Sequence, residues 1–282
     1  RLIPIDGIQE VDWLDNARLL DLKELPEHLV IIGGSYISLE FAQVFRRLGS
    51  RVTVLEAGPQ LMFREDKDIA AIAHQILNKE GIEIHLNADV QRVEQAGKKQ
   101  ISVSFEHEGS EKQVQGSHLL LAVGRVPNSD RLNLEAAGVE VNKRGYIQVN
   151  EIMQTSVPQI YAVGDINGEG AFTHTSVNDG EIFWDHFRGE ADRTLSTRIP
   201  TYALYIDPPL GRVGISEKEA RESSREIWMA KRPMSQIARA REKDETAGLV
   251  KILVDKESEK IVGAAVFGVG GDEVVNVFTP FM

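Results

Sequence analysis

The sequence predicts an α/β protein with a parallel sheet, and three observations lead to this prediction. The apolar run 30–32 breaks at the paired glycines Gly33 and Gly34 and continues as a helical pattern. A second β-type run ends in Glu56, roughly 20 positions after the first glycine. A later run, 119–124, is apolar enough for a central parallel strand. Together these runs predict a βαβαβ arrangement, which is typical of dinucleotide-binding folds.

The first helix is expected to follow directly on the glycine turn. Its apolar residues recur at helical spacing, which predicts that one face packs on the sheet; they are Ile37, Phe41, Phe45 and Leu48. Gly49 is a natural helix stop. The residues before this unit, 1–28, are predicted to form a connecting segment, punctuated by proline and glycine.

Helix and strand are expected to go on alternating after Glu56. A helix is predicted over 66–80, ended by Gly81, and a strand over 82–86. Three short β-type runs predict an antiparallel insertion; they are 90–95, 101–105 and 113–115.

A different unit is predicted to begin near Asn150. The run 160–165 predicts a buried strand that ends in Gly164 and Asp165, and a helix is expected from about 173 to 187. The polar segment 189–198 is a candidate domain boundary. Beyond it, β-type runs mix with a helix near 216–223, which predicts an α+β domain; the runs are 201–206, 249–254 and 261–267.

Composition excludes several classes of function. The 282 residues carry a formal net charge of −11, which disfavours nonspecific nucleic-acid binding. The chain has no cysteine, so disulfide scaffolds and thiol chemistry are excluded within it. Its histidines show no metal-ligand spacing, and we predict no metal site. No apolar run reaches the roughly 18 residues of a spanning helix. The sequence shows no basic-then-apolar secretory leader, and Arg1 indicates that the chain lacks its own start methionine. The absence of cysteine fits the cytoplasmic location that we expect.

The glycine turn suits a pyrophosphate. Gly33 allows a tight turn, and the following helix offers free N–H groups and a positive dipole end. Ser35 and Ser38 occupy the second and third glycine positions of the G-x-G-x-x-G pattern. Ser35 can still offer its backbone N–H, whereas Ser38 slightly widens the contact between helix and strand. An ordinary βα turn that binds nothing is the alternative.

Glu56 bears on the choice of cofactor. A carboxylate can accept both ribose hydroxyls of NADH but repels the 2′-phosphate of NADPH. No Arg, Lys or His between Glu56 and Arg64 neutralises such a phosphate. We therefore expect a preference for NAD, with NADP as the other option. A solvated acid at a strand end is the alternative.

Five runs in consistent order and spacing resemble the class I pyridine nucleotide–disulfide oxidoreductases, the family of lipoamide dehydrogenase, glutathione reductase and mercuric reductase. The runs are 30–40, 122–128, 155–165, 200–220 and 247–263, so the resemblance covers essentially the whole chain. Within this family, the sequences of three short segments are most similar to the mercuric-reductase-like branch; the segments are 63–66, 231–234 and 268–273.

The resemblance implies how the chain is divided. Residues 1–28 would be the tail of a first FAD-domain segment, 29–150 a Rossmann-like NAD(P)-binding domain, 151–197 a second FAD-domain segment and 198–282 an incomplete dimerisation domain. The family's FAD fingerprint, redox cysteine pair and C-terminal His-Pro motif are absent from these residues. The chain therefore resembles a piece of a longer enzyme.

The resemblance also implies roles for particular residues. Tyr36 would shield the flavin and move when nicotinamide enters, and Glu40 would lie near the flavin edge; these two are the catalytic candidates. The candidates for cofactor binding are Gly33, Gly34, Ser35, Tyr36, Ile37, Glu56, Gly124, Gly164, Asp165 and His174. Surface roles remain open for Tyr36 and Glu40, helix capping for Asp165 and His174, and a surface ion pair for Arg125.

The implied activity is electron transfer from NAD(P)H through FAD to a redox disulfide, and then to a metal ion or another disulfide. A dihydrolipoamide dehydrogenase is the second enzyme hypothesis. A noncatalytic nucleotide-binding and dimerisation fragment is the hypothesis from another class. A homodimer is implied, with no nucleic-acid or membrane partner.

Overall fold

A computed structural model describes residues 2–190 and 193–282 and divides the chain into two compact units. The first comprises the residues up to Gly124 together with Thr201–Met282, and the second is Arg125–Pro200. The strands are β1 (Trp13–Leu14), β2 (His28–Ile32), β3 (Arg51–Glu56), β4 (Glu83–Leu86), β5 (Asp89–Gly97), β6 (Gln100–His107), β7 (Ser110–Gly116), β8 (His118–Leu121), β9 (Thr201–Leu204), β10 (Leu210–Gly214), β11 (Ile227–Pro233), β12 (Leu249–Asp255) and β13 (Ile261–Phe267). The helices are α1 (Asn16–Leu20), α2 (Tyr36–Leu48), α3 (Lys67–Lys79), α4 (Thr173–Arg188), α5 (Glu217–Glu222), α6 (Ala238–Glu242) and α7 (Gly271–Val274).

The first unit contains a five-stranded parallel sheet in the order β1-β8-β2-β3-β4. Every residue of β2 is buried, as expected of a central strand that is covered on both faces. Leu29 and Ile31 belong to a core that includes side chains of α2 and α3. Val30 and Ile32 face a second core, which they share with the antiparallel sheet β5-β6-β7. The predicted antiparallel insertion is therefore confirmed, and it forms the layer opposite the helices.

The face that α2 buries differs from the predicted one. Its buried residues include Ser38, Leu39 and Ala42, whereas Ile37 is 38 % exposed and Leu48 is 63 % exposed. Serine and alanine have short side chains, so this face can lie close to the sheet. The prediction that Ile37, Phe41, Phe45 and Leu48 form the packing face was wrong at its two ends, because the larger side chains lie on the flank of the helix.

Residues 2–28 are more structured than a connecting segment. β1 extends the parallel sheet next to β8, and α1 follows it at once. Ile5, Ile8 and Val11 are buried in the core beneath the antiparallel insertion. The scattered apolar residues of this segment have no regular period, which is why sequence periodicity did not reveal their burial.

A second, antiparallel sheet of the first unit has the order β11-β12-β13-β10-β9. The α+β prediction is confirmed for this region, although β10 and β11 were not predicted. Two glycines and an arginine interrupt the apolar pattern of β10, and β11 carries charged residues at the sheet edge. Leu204, Leu210 and Phe267 join the core that lies against α2 and α3.

The second unit has a small core around Val139, Ile147 and Ala162, and α4 ends at Gly189, as predicted. The predicted strand over 160–165 was wrong: a single bridge between Gln154 and Tyr161 is the only pairing there in the described part of this unit. An apolar run becomes a strand only where neighbouring strands can pair with its backbone. Asp165–Asn167 instead forms a 3-10 turn.

Candidate functional site

Gly33 fixes the turn between β2 and α2. Its N–H donates to the Leu55 carbonyl at 2.8 Å, and its φ of +107° is one that favours glycine. A Cβ at this position would lie 2.6 Å from the carbonyl oxygen of Ala122, just beyond β8. The carboxyl ends of β2, β3 and β8 therefore meet around a residue that has room for no side chain.

Glu56, at the end of β3, reaches the start of α2. Its Oε2 accepts the N–H of Gly34 at 2.5 Å, and its Oε1 accepts the N–H of Gly58 at 2.7 Å. Gly34 is buried, and a Cβ there would lie 2.8 Å from Glu56 Oε2. These contacts hold the carboxylate beside the glycine turn.

The start of α2 keeps its backbone donors directed beyond the helix end. Ser35 precedes the helix in an extended conformation, and its side chain makes no capping hydrogen bond. The first N–H groups of a helix have no partner within the helix. Ile37 lies partly exposed in this turn. Ser38 is fully buried, and its hydroxyl has no hydrogen-bond partner among the described residues.

Tyr36 is the first residue of α2, and its hydroxyl points to Glu65. The hydroxyl donates to Glu65 Oε1 at 2.5 Å, and the hydroxyl of Tyr202 on β9 donates to the same oxygen at 2.6 Å. The two rings lie 5.8 Å apart and are tilted by 37°. Burial, reinforced by the carboxylate of Glu65, raises the pKa of both tyrosines well above their usual value, so both hydroxyls stay protonated as donors.

Glu65 in turn belongs to a buried network of charges. Arg212 of β10 donates through Nε to Glu65 Oε2 at 3.0 Å and through Nη2 to Asp66 Oδ2 at 2.8 Å. Lys251 of β12 donates to the same Asp66 oxygen at 3.0 Å. Sequence reasoning missed this network, although a lysine in the middle of an apolar strand is a signal, because a buried charge requires a partner.

Three carboxylates of this region have oxygens within 4.8 Å of one another, namely Asp66, Asp68 and Glu217. Lys251 contacts all three, at 3.0, 2.6 and 2.8 Å, and Lys231 lies 2.6 Å from Asp68. The ammonium groups supply the positive charge that a metal would otherwise provide, so we assign the cluster to ion pairing.

Glu40 lies one helical turn beyond Tyr36, which places both on one side of α2. Its Oε1 accepts the N–H of Tyr205 at 2.9 Å. Burial raises the pKa of Glu40, although this hydrogen bond opposes the shift. Glu40 is thus a partly desolvated carboxyl group close to the start of α2.

Three predicted cofactor-binding residues, Gly164, Asp165 and His174, lie in the second unit, whereas Gly124 follows β8 in the first unit with a φ of +107°. Asp165 forms an ion pair with Arg125 at 2.7 Å, and both side chains are about half exposed. The N–H of Gly164 donates to the buried carboxylate of Asp179 at 2.8 Å. His174 stacks on Phe172 at the start of α4, with ring centroids 5.5 Å apart.

Comparison with known families adds a decisive observation. Residues 1–180 match the profile described as pyridine nucleotide-disulphide oxidoreductase, and residues 200–282 match the dimerisation domain of the same family. The chain belongs to the pyridine nucleotide-disulphide oxidoreductases. Members of this family use FAD and NAD(P)H.

Individual family members support the same assignment. A probable pyridine nucleotide-disulfide oxidoreductase, RclA of Escherichia coli, is 40% identical over 277 residues, which are 97% of this chain and 62% of RclA. A mercuric reductase of Staphylococcus aureus is 32% identical over 98% of this chain and 50% of its own length. A dihydrolipoyl dehydrogenase of Bacillus subtilis is 35% identical over 96% and 58%.

The fold of this oxidoreductase chain agrees with a solved structure. The Cu(II) complex of a mutant of the HOCl-induced flavoprotein disulfide reductase RclA from Escherichia coli superposes with a TM-score of 0.91 at 39% identity, over 99% of this chain and 63% of that one. The chain thus spans about half to two thirds of the length of the relatives it matches. Among the described residues, no helix combines the length and hydropathy that a bilayer span requires.

Proposed function

We propose that this chain is the nucleotide-binding part, with one FAD-domain segment and part of the dimerisation domain, of an NADH-dependent flavoprotein disulfide reductase. With a disulfide as the final acceptor, the overall reaction would be NADH + H⁺ + disulfide → NAD⁺ + two thiols. The redox cysteine pair of the enzyme would lie outside this chain, because the chain contains no cysteine. Family membership supports the reaction class, and the geometry of the glycine turn supports the nucleotide site.

The position of Glu56 carries the proposal. Its carboxylate lies at the glycine turn, bonded to Gly34, where an acid can accept the hydroxyls of an adenosine ribose. Each carboxylate oxygen has a second lone pair, so the two backbone hydrogen bonds leave capacity for a ribose. Gly33, Gly34, Ser35 and Ile37 would line the pyrophosphate end, where the glycine turn leads into the backbone N–H groups at the start of α2.

The same carboxylate supports the choice of NADH over NADPH. A 2′-phosphate placed against Glu56 would meet a negative charge, and no cation follows in sequence before Arg64. NADPH is the less favoured substrate in this proposal.

The second unit would contribute to FAD binding. Bound FAD would accept a hydride and deliver its electrons to the disulfide. Asp165, half exposed at a turn, would accept a flavin ribityl hydroxyl, and Gly164 would let the backbone approach the flavin. In the first unit, Gly124 would contribute to cofactor binding beyond the end of β8, where a parallel sheet places its ligands. His174 would lie beside the cofactor. Tyr36 would shield the flavin and move when nicotinamide enters, and Glu40, a partly desolvated carboxyl group, would lie near the flavin edge.

We further propose a metal ion or an unusual disulfide as the final acceptor. The likeness to RclA and mercuric reductase supports this choice. A dihydrolipoamide dehydrogenase remains the second candidate, favoured by the 35% identity to the enzyme of Bacillus subtilis. Rapid NAD⁺-dependent oxidation of dihydrolipoamide by the full-length protein would select the second candidate.

The proposal also includes the domain boundaries 29–150, 151–197 and 198–282. It further includes a homodimer through the dimerisation domain and a cytoplasmic location. No nucleic-acid or membrane partner is included. The polypeptide 1–282 alone is proposed to be inactive as a disulfide reductase, because it supplies no thiol. Turnover of a disulfide by this polypeptide with NADH would contradict that statement.

The test uses the full-length protein that contains this chain. Its absorption spectrum should show bound flavin, and kcat/KM should be higher with NADH than with NADPH. Glu56→Ala should lower kcat/KM for NADH about tenfold, the loss expected for one charge-assisted hydrogen bond, and should lower it less for NADPH. Glu111→Ala, at an exposed position on β7, is the matched control and should leave both values unchanged. A protein without flavin, or equal losses for the two nucleotides, would overturn the proposal.

A further inference from the structure

Two tyrosine hydroxyls donate to one carboxylate oxygen of Glu65, and one of these tyrosines is at the start of α2. Tyr36 and Tyr202 donate to the same Oε1 of Glu65, at 2.5 and 2.6 Å. The Glu65 side chain is fully buried, so its hydrogen-bond partners in this structure are protein groups. A buried carboxylate oxygen that loses its donors carries a large desolvation cost. Because this oxygen has two donors, one donor can leave while the oxygen keeps a hydrogen-bond partner.

The carboxylate itself is held rigidly. Its second oxygen, Oε2, accepts Arg212 Nε at 3.0 Å, and the same guanidinium binds Asp66 at 2.8 Å. Arg212 is almost completely buried in β10, where Lys251 completes the network through Asp66. Glu65 therefore presents a fixed acceptor, and of its two tyrosine partners only Tyr36 belongs to the glycine turn and its helix.

We propose that Glu65 is a positioning residue that holds Tyr36 over the nicotinamide subsite, and that Tyr202 is the substitute donor that occupies Glu65 when Tyr36 moves away. The inference rests on the proposed nucleotide site. An incoming nicotinamide must displace the Tyr36 ring, which breaks its hydrogen bond to Glu65. Because Tyr202 remains bonded to Oε1, the cost of this movement is limited to one hydrogen bond.

Opposite effects of two conservative substitutions follow from this arrangement. Tyr36→Phe removes the bond that must break, so NAD⁺ should bind more tightly, with a Kd about tenfold lower. Tyr202→Phe removes the substitute donor, so displacement of Tyr36 would orphan Oε1, and the Kd for NAD⁺ should rise about tenfold. In Tyr36→Phe, the additional change Tyr202→Phe should have no effect, because no bond is then broken on binding. A tenfold change in Kd corresponds to about 1.4 kcal/mol.

The experiment is calorimetric titration of the full-length flavoprotein with NAD⁺ and, separately, with ADP-ribose. ADP-ribose carries the adenosine, ribose and pyrophosphate but no nicotinamide, so it has no need to displace Tyr36. Its Kd should be the same in wild type and in all three variants, which also shows that each variant keeps a folded nucleotide site. Phenylalanine preserves both rings and leaves the Glu65–Arg212 ion pair intact.

Opposite shifts for NAD⁺ with constant ADP-ribose affinity support the inference. Shifts in the same direction, an unchanged NAD⁺ affinity in either single variant, or an equal shift for ADP-ribose would overturn it while leaving the nucleotide site standing. Failure of wild type to bind ADP-ribose would instead overturn the nucleotide site, and this inference with it.

Discussion

Gln43 of α2 and Asp207, in the loop between β9 and β10, are joined by a reciprocal pair of hydrogen bonds. Gln43 Nε2 donates to the Asp207 carbonyl oxygen at 2.9 Å, and the Asp207 N–H donates to Gln43 Oε1 at 2.7 Å. Gln43 is buried, and its amide pairs with both the N–H and the carbonyl oxygen of Asp207, as the backbone of a neighbouring strand would. One side chain thus fixes the antiparallel sheet against the helix that begins at the glycine turn.

Gln43→Ala should lower the free energy of unfolding by about 2–3 kcal/mol, because both backbone groups of Asp207 lose their partner. Val44→Ala is the matched control on the same helix; Val44 is 51 % exposed, so its truncation should cost at most about 0.5 kcal/mol. Urea denaturation of the full-length protein measures both. Equal losses in the two variants would show that the reciprocal pair contributes nothing.

Gly33→Ala should abolish nucleotide binding and destabilise the fold by more than about 2 kcal/mol. The new Cβ would meet the Ala122 carbonyl oxygen at 2.6 Å in a backbone conformation that side chains rarely adopt. Gly109→Ala separates the two causes, since Gly109 has a φ of +72° but no heavy atom within 4 Å of the added Cβ. That control should cost only about 1 kcal/mol and keep ADP-ribose binding. Similar losses in the two variants would argue against the close approach at Ala122.

Arg212→Met should destabilise the protein by about 3–5 kcal/mol, because it leaves the buried carboxylate of Glu65 without its cation. The surface pair of Arg239 and Glu242 provides the comparison, with both side chains more than half exposed. Arg239→Met should cost at most about 1 kcal/mol. Thermal unfolding followed by circular dichroism distinguishes the two, and a smaller loss in Arg212→Met than in Arg239→Met would refute the assignment.

Acid should weaken the charge cluster through Glu217. Burial opposes ionisation, but the hydrogen bonds from Lys251 and Arg221 outweigh it and lower the pKa of Glu217 from 4.5 to about 2. A lowered pKa in the folded state stabilises the fold fully above the unfolded value, and the stabilisation disappears as the pH falls. Stability should therefore decline between about pH 4.5 and pH 2.

Glu217→Gln should flatten this decline, as measured by urea midpoints across that pH range. Glu226→Gln, which removes a carboxylate from an exposed pair with Lys256, is the control and should leave the profile unchanged. A wild-type profile in Glu217→Gln would contradict the prediction.

The parallel sheet could be predicted because its signals are local. Apolar runs, a glycine break and a fixed interval to an acid all lie within one stretch of chain. The hydrogen bond from the Gly34 N–H to Glu56, at 2.5 Å, was found only in the structure. Whether the candidate residues bind cofactors stays a prediction.

The contacts of Tyr36 could not be predicted in the same way. Its partner Glu65 is shared with Tyr202 and Arg212, which are 137 and 147 positions from Glu65. No periodicity connects residues so far apart, because their contact depends on how two sheets pack. The run 160–165 failed for a related reason: its apolar character indicates burial but does not supply neighbouring strands.

The position of β8 between β1 and β2 has a consequence for folding. β8 pairs with β2 across a separation of 89 positions at Leu29 and His118, and the chain between them forms α2, β3, α3, β4 and the antiparallel insertion. Closing so long a loop costs chain entropy before the pairing returns any energy. The contact between Gly33 and Ala122 forms only when β8 is in place. We therefore expect the geometry of the glycine turn to form late in folding, although its sequence pattern is contiguous.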